Sequence, residues 1–275
     1  MRILITGASG FVAGHLASHL SKRGHAVTGL SRRGNPRWAF GDLVDEAVFH
    51  GIEVLIHCAH DFAPDSMQRT IDGTTALAEA ARKAKVGRQI FVSTLSARPD
   101  ATSEYGRSKY ALERRFLDRG DTIVRPGTVI GKGGLFGKMA GMIESRSILP
   151  LVDGGKAEMT VIGVLDLCRA MAAILARPEA REYNLYYSQK PTMKEVMVLL
   201  RGKLGRKTLF MPAPAWMLIV PLTLLRWMHI RAPVDVENLK GYMKSREQVY
   251  ASNLADVLPD PSPLATALAE AWDGE

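Results

Sequence analysis

The chain has 275 residues, 47% of them hydrophobic and 23% charged, which suits one globular domain or one domain with a small lobe. Two cysteines, Cys58 and Cys168, are too few for a disulfide scaffold and fit a reducing, cytoplasmic setting. A net charge of +8 suits an anionic ligand or surface, but no basic tract interleaves with aromatics, which argues against nucleic acid.

The first stretch, Arg2 to Thr6, is short, apolar and β-branched and reads as a buried strand. Because it starts at residue 2, no signal peptide is expected ahead of it. Gly7 and Gly10 follow at once, and Phe11 to Leu20 carries the apolar spacing of a helix. A strand, a glycine turn and a helix start place backbone N–H groups and a positive dipole end where an anion can sit. The alternative is a tight turn with no ligand; the alternation of strands and helices downstream favours a dinucleotide site.

Ala26 to Leu30 is expected as a second strand, followed by Ser31-Arg32-Arg33-Gly34. In a dinucleotide fold the end of this strand reaches the adenosine ribose. An acidic residue there bonds a 2′-hydroxyl, whereas arginine suits a 2′-phosphate. Arg32 and Arg33 therefore favour NADP over NAD, against the plainer reading of a solvated basic loop that includes Arg37. Trp38 to Phe40 is a short candidate third strand. Asp42 either accepts from an adenine amino group or caps a helix starting near Val44.

Val54 to Ala59 is a strong strand whose His57 is expected to be a packed core histidine. A long helix is expected from Asp72 through Lys85, and a further strand from Gln89 to Ser93. Tyr105 and Lys109 are four residues apart and share one face of a helix running through Glu113. An ammonium beside a phenol favours phenolate and lowers the phenol pKa. Such a tyrosine works as a proton donor or acceptor, and a hydroxyl at the preceding strand end, Thr94 or Ser96, can orient a carbonyl or alcohol beside it.

Thr122 to Arg125 is the next strand. Val129 to Pro150, rich in glycine, reads as a mobile loop with a short helix. Thr160 to Val164 and Tyr183 to Tyr187 are strand-like, Asp166 is expected to cap a helix over Leu167 to Ala176, and Thr192 one over Met193 to Leu204. From Ala251 the tail reads as helical, with Pro259, Pro261 and Pro263 in a loop. Thr208 to Leu225 is uncharged and close to the length of a membrane span, but Pro212, Pro214 and Pro221 interrupt it. It reads as a buried or interface segment; the sharper alternative is contact of 208–231 with a membrane surface, aided by Arg226, His229 and Arg231.

Together these features give a Rossmann-type, doubly wound parallel sheet with a small, discontinuous C-terminal substrate lobe. The cofactor domain is expected over 1–130 and about 158–182, and the lobe over 131–157 and 183–275.

Thr6-Gly7-Ala8-Ser9-Gly10-Phe11-Val12 resembles the first turn of the short-chain dehydrogenase/reductase superfamily. Asp42-Leu43, His57-Cys58-Ala59, Asp72-Gly73-Thr74, Ser93-Thr94, Tyr105/Lys109, Arg125-Pro126-Gly127 and Asp166-Leu167 appear in the order of its extended branch, the NAD-dependent epimerase/dehydratase family. The resemblance covers roughly residues 1–205. It implies that Gly7, Ser9, Gly10, Phe11 and Val12 hold the cofactor, with Ser31, Arg32, Arg33, Asp42 and Leu43 at the adenosine end. Ala59, His60, Pro126 and Thr128 would line the nicotinamide end. Tyr105 would be the acid/base, Lys109 would bond the nicotinamide ribose, and Thr94 would be the active-site hydroxyl.

Three departures stand out. Ala13 replaces the third glycine, with Gly14 one place later. Thr94 and Tyr105 are only eleven residues apart. No nucleotide-diphosphate clamp is evident in the C-terminal part, although Arg146 and Arg231 are candidates. The expected activity is an NAD(P)-dependent reductase or dehydrogenase acting on a carbonyl/alcohol pair. The alternatives are a sugar epimerase/dehydratase and a non-catalytic structural or assembly protein that binds the cofactor. A homodimer through paired helices would follow the superfamily's habit.

Overall fold

The computed structural model describes residues 1–177, 179, 181–214, 217 and 250–273. Five strands, β1 (Arg2–Thr6), β2 (Ala26–Leu30), β3 (Val54–His57), β4 (Arg88–Val92) and β5 (Thr122–Pro126), build most of one parallel sheet. After β6 (Thr128–Ile130), β7 (Ile148–Val152) and β8 (Val161–Gly163), the strand β9 (Glu182–Leu185) completes it in the order β2-β1-β3-β4-β5-β9. The order reverses at β1, which has β2 on one side and β3 on the other. Ligands in such sheets bind outside the strand C-termini at that reversal.

Side chains alternate between the two faces, as the period of a strand requires. Ile3, Ile5, Val54, Ile56, Ile90 and Val124 join a core with the helices α1 (Phe11–Lys22) and α5 (Val164–Leu175). Leu4, Leu55, Phe91 and Ile123 point the other way, toward α2 (Met67–Lys83) and α3 (Glu104–Leu117). Both faces are therefore covered, and the central strands are mostly apolar, with His57, Gln89, Thr122 and Arg125 among their buried polar members.

Two pairs of parallel strands lie outside this sheet: β6 with β8, and β7 with β10 (Leu209–Ala213). The glycine-rich stretch expected to be a loop with a short helix is more ordered than that, with a 12-residue helix α4 (Gly134–Ser145) between β6 and β7. Its glycines make room for a neighbour, since a Cβ on Gly131 or Gly133 would fall 2.3 or 2.5 Å from the Phe11 ring. Thr192 does cap α6 (Met193–Lys203), in a full capping box with Glu195. From residue 250 the described chain runs beside β9. Asn184 N–H donates to Asn253 Oδ1 at 2.6 Å and Asn253 N–H donates to the Asn184 carbonyl at 3.1 Å. Then come α7 (Leu254–Val257), the proline loop and α8 (Leu264–Asp273).

Several expectations need correction. Trp38 to Phe40 forms no strand; Ser31 and Arg37 make a single bridge, and Trp38 folds into the core beside Leu4, Leu30 and Phe49. β2 is therefore the sheet edge. Asp42 caps no helix. It accepts from Ala39 N–H at 2.9 Å, and Asp45 caps the short 3₁₀ turn Glu46–Phe49 instead. α2 begins at Met67, five residues ahead of expectation.

Asp166 is no cap either, because α5 begins at Val164. Its buried carboxylate accepts from the Tyr187 hydroxyl at 2.7 Å, Arg169 at 2.8 Å and Ser262 N–H at 2.8 Å. It thus ties α5 to the C-terminal tail. Of the 208–231 segment, only residues 208–214 and 217 are described; Thr208 is buried and 209–213 form β10. Among the described residues no helix is long and apolar enough to cross a membrane. Arg146 is exposed just after α4, and Arg226, His229 and Arg231 lie outside the described residues.

Candidate active site

The turn after β1 is fixed from three sides. Thr6 Oγ1 accepts from Cys58 N–H at 3.1 Å and Ala59 N–H at 3.0 Å, which ties the end of β1 to that of β3. Gly7 N–H donates to the Leu30 carbonyl at 2.8 Å, tying the turn to β2. Gly7 has φ +70°, and a Cβ there would fall 2.8 Å from Ala59 Cα. A Cβ on Gly10 would meet the Gly7 carbonyl at 3.0 Å. α1 starts at Gly10 with no side-chain cap and no acidic residue in its first turn. With Ser9 and Gly10 exposed, this is a backbone cradle open to an anion, and it fits a dinucleotide pyrophosphate.

The shifted glycine is harmless. Ala13 is buried in the core, and a Cβ on Gly14 would sit at an ordinary 3.4 Å from the Ala8 carbonyl. Gly7→Ala is therefore expected to lose nucleotide binding and lower stability by about 1–3 kcal/mol. Gly14→Ala should leave both unchanged, and a nucleotide titration with a thermal melt checks the pair.

At the end of β2, Ser31 is buried and its carbonyl accepts from Gly34 N–H at 3.3 Å and Trp38 N–H at 3.0 Å. That closed loop presents Arg32 and Arg33 to solvent. Asp42 and Leu43 are exposed on the following loop, one Asp42 oxygen already held by Ala39 N–H.

The strand ends of β3 and β4 and the start of α3 meet at the expected catalytic residues. The Thr94 side chain lies beside the Tyr105 phenol, where it favours the ionised form. Thr94 Oγ1 accepts from Ser96 N–H at 3.2 Å, which orients it; Ser96 itself is exposed. Gly106 makes this approach possible, because a Cβ there would fall 2.6 Å from the Ser96 carbonyl. The residue types that suggest chemistry do not point to Gly106. A glycine inside a helical pattern was the available signal of close approach.

Lys109 is 3% exposed and its ammonium donates to the Val92 carbonyl at 2.7 Å. It lies 4.6 Å from the centre of the Phe91 ring and 6.0 Å from that of Tyr105. Burial pulls the Lys109 pKa down to about 8. Burial also pushes the Tyr105 phenol up to about 12. The phenol is thus raised where lowering by Lys109 was expected, because burial dominates and Thr94 is the group that opposes it. Tyr105 is a proton holder at neutral pH.

His60 stands edge-on to Tyr105 at 4.7 Å, and burial draws its pKa down to about 3. Phe62 stacks on Tyr105 at 5.8 Å and also meets His60 at 4.6 Å, so the three rings form one cluster. His57 is a core residue as expected, its Nε2 2.7 Å from Gln89 Oε1. Burial raises the Cys58 thiol to about 12, so it is no nucleophile. Pro126 ends β5, and the next residues turn sharply: Gly127 N–H donates to Leu185 and Thr128 N–H to Thr160, at 2.9 and 2.8 Å. Among the described residues no group of three or more His, Cys, Asp or Glu could hold a metal ion.

A parallel sheet reversing at β1, a glycine cradle at that reversal and a Thr-Tyr-Lys set beyond β4 define a nucleotide-dependent enzyme of the extended short-chain type. The chain belongs to the NAD dependent epimerase/dehydratase family, whose model matches residues 3–186. It is 33% identical over 201 residues to a ceramide reductase of Caulobacter vibrioides, a match covering 64% of this chain and 61% of that one. The chain thus spans less than two thirds of that relative. Among solved structures, MoeE5 in complex with UDP-glucuronic acid and NAD superposes with a TM-score of 0.75 at 18% identity, covering 98% of this chain and 97% of that one. The Citrobacter sp. triphenylmethane reductase complexed with NADP(H) gives 0.74 at 17% identity, covering 98% and 100%. These structures share the fold.

Proposed function

We propose that the chain is an NADP-dependent carbonyl reductase with Tyr105 as its proton donor. The observation that carries this is the Tyr105 phenol, packed by His60 at 4.7 Å and Phe62 at 5.8 Å and set beside Thr94, which burial keeps protonated. A phenol poised to give a proton suits reduction better than oxidation. The 33% identical relative is named a reductase, which agrees.

Gly7, Ser9, Gly10, Phe11 and Val12 would hold the pyrophosphate. Arg32 and Arg33, beside Ser31, would take the 2′-phosphate, and Asp42 and Leu43 would border the adenine. Ala59, His60, Pro126 and Thr128 would line the nicotinamide, and Lys109 would bond its ribose. The nicotinamide, when bound, supplies hydride. The substrate oxygen is oriented by Thr94 and receives the Tyr105 proton.

The test is to identify any nucleotide that copurifies and to measure NADPH oxidation across carbonyl substrates. Exchangeable NADP and net reduction are expected; NAD retained through turnover would point instead to an epimerase or dehydratase cycle. The 2′-phosphate contact predicts that Arg32→Ala with Arg33→Ala lowers the NADP/NAD affinity ratio by roughly tenfold, the scale of a charged hydrogen bond at an exposed site. An unchanged ratio would remove the support for NADP.

A further inference from the structure

Phe62 is 81% exposed, yet it is held in place. Its ring lies 5.8 Å from that of Tyr105 at an interplanar angle of 22°, and 4.6 Å from His60. The turn that carries it is braced. Asp61 accepts from Ala63 N–H at 3.0 Å and from Arg69 Nε at 2.9 Å, and the Ser66 hydroxyl donates to the Asp61 carbonyl at 2.7 Å. Ser66 is buried just ahead of α2, so the turn rests on the helix. A phenyl ring left in water forgoes the stabilisation of burial, about 25 cal/mol per Å² of apolar area. A fixed exposed ring beside the candidate proton donor is a surface prepared for something apolar.

One face of the Phe62 ring is turned to Tyr105, and its exposure leaves the remainder open. Aromatic rings favour offset-stacked partners with centres 4.5–7 Å apart, so a planar group laid on that ring would extend the Phe62–Tyr105 stack. Phenylalanine offers no hydrogen bond, and His60, neutral at physiological pH, offers no charge. Nothing in this pair selects an ionised group.

We propose that Phe62 is a specificity residue whose open ring receives an apolar planar group, making the preferred substrates aryl or conjugated carbonyl compounds. This rests on the reductase reading for the chemistry, but not for the binding. His60 is then a positioning residue, packed edge-on against both rings.

Binding and turnover are measured separately, with NADP⁺ saturating in the first case and NADPH supplied in the second. The probes are an aryl ketone such as acetophenone and a saturated ketone of equal carbon number. Phe62→Ala is expected to weaken acetophenone binding by roughly three- to tenfold, the worth of one aromatic pair. The saturated ketone should change by less than twofold, and NADP⁺ affinity not at all. Phe62→Leu, which keeps apolar bulk without a ring, should behave as Phe62→Ala does. Thermal melts should match the parent, since Phe62 is on the surface. Equal losses for both ketones, no acetophenone binding by the parent, or a loss of NADP⁺ affinity in Phe62→Ala would each overturn the assignment. Acetophenone that binds through Phe62 but is never reduced would leave it standing and sink the reductase reading instead.

Discussion

Replacing Tyr105 by Phe is expected to lower turnover by roughly 10²–10⁴-fold while nucleotide affinity stays close to that of the parent. The substitution removes one hydroxyl and keeps the ring, so the packing against His60 at 4.7 Å and Phe62 at 5.8 Å survives. Thr94 loses the hydroxyl beside it, and Thr94→Ala should give a smaller loss, up to about tenfold, as for one neutral hydrogen bond. The pH dependence separates Tyr105 from Lys109. Burial holds Tyr105 protonated up to about 12, so the proton donor is present throughout the working range. Lys109, drawn down to about 8, is charged below that pH and neutral above it. The rate of reduction should therefore be level near neutrality and fall as pH rises through about 8. Lys109→Met should lower the rate at every pH and abolish that limb. A limb near 8 that persists in Lys109→Met would assign it to another group.

Much of the fold was legible because its signals are local. The bounds of β2, the Gly7–Gly10 turn and the Thr192 cap depend on neighbours within a few residues, and all stand where the sequence places them. The same holds for Tyr105 and Lys109, which one helix carries on one face. What was not legible depends on distant partners. Trp38 to Phe40 has the apolar content of a strand, but Trp38 gains more by filling the core under Leu4 and Leu55 than by extending an edge. Asp166 looks like a cap until Tyr187 and Ser262 arrive from 21 and 96 residues away. The glycines of 131–137 suggest a loop, whereas they accommodate the Phe11 ring and the turn into α4. The direction of the Tyr105 shift was misjudged for the same reason. Spacing reveals the lysine four residues on, but only the folded chain reveals the burial that raises the phenol.

The largest stability effect is expected at Glu113 and Arg125, a pair whose spacing in sequence carries no signal. Glu113, on α3, is 2% exposed, and Arg125 on β5 is 3% exposed. Two parallel bonds join them, Nε to Oε1 at 2.8 Å and a terminal nitrogen to Oε2 at 2.7 Å. Glu182 on β9 adds a 2.6 Å contact to the same guanidinium, and the Tyr250 ring covers it at 4.3 Å. The Tyr250 hydroxyl in turn donates to the Ala97 carbonyl at 2.9 Å, close to Thr94 in the chain. Burial works against the Arg125 charge, but the Glu113 carboxylate more than restores it and raises its pKa; burial raises that of Glu113 too. Glu113→Ala leaves the buried Arg125 with only the half-exposed Glu182 as counter-charge and should cost about 3–5 kcal/mol. In a chain of this size that lowers the melting temperature on the order of 10 °C. Glu113→Leu combined with Arg125→Met removes both charges and should recover most of the loss, since apolar replacements of a buried pair are often neutral. Because Arg125 leads directly into Pro126 and Thr128, the double variant should be stable yet weaker in nucleotide binding. A double variant as unstable as Glu113→Ala would mean that packing, rather than the lost counter-charge, sets the cost.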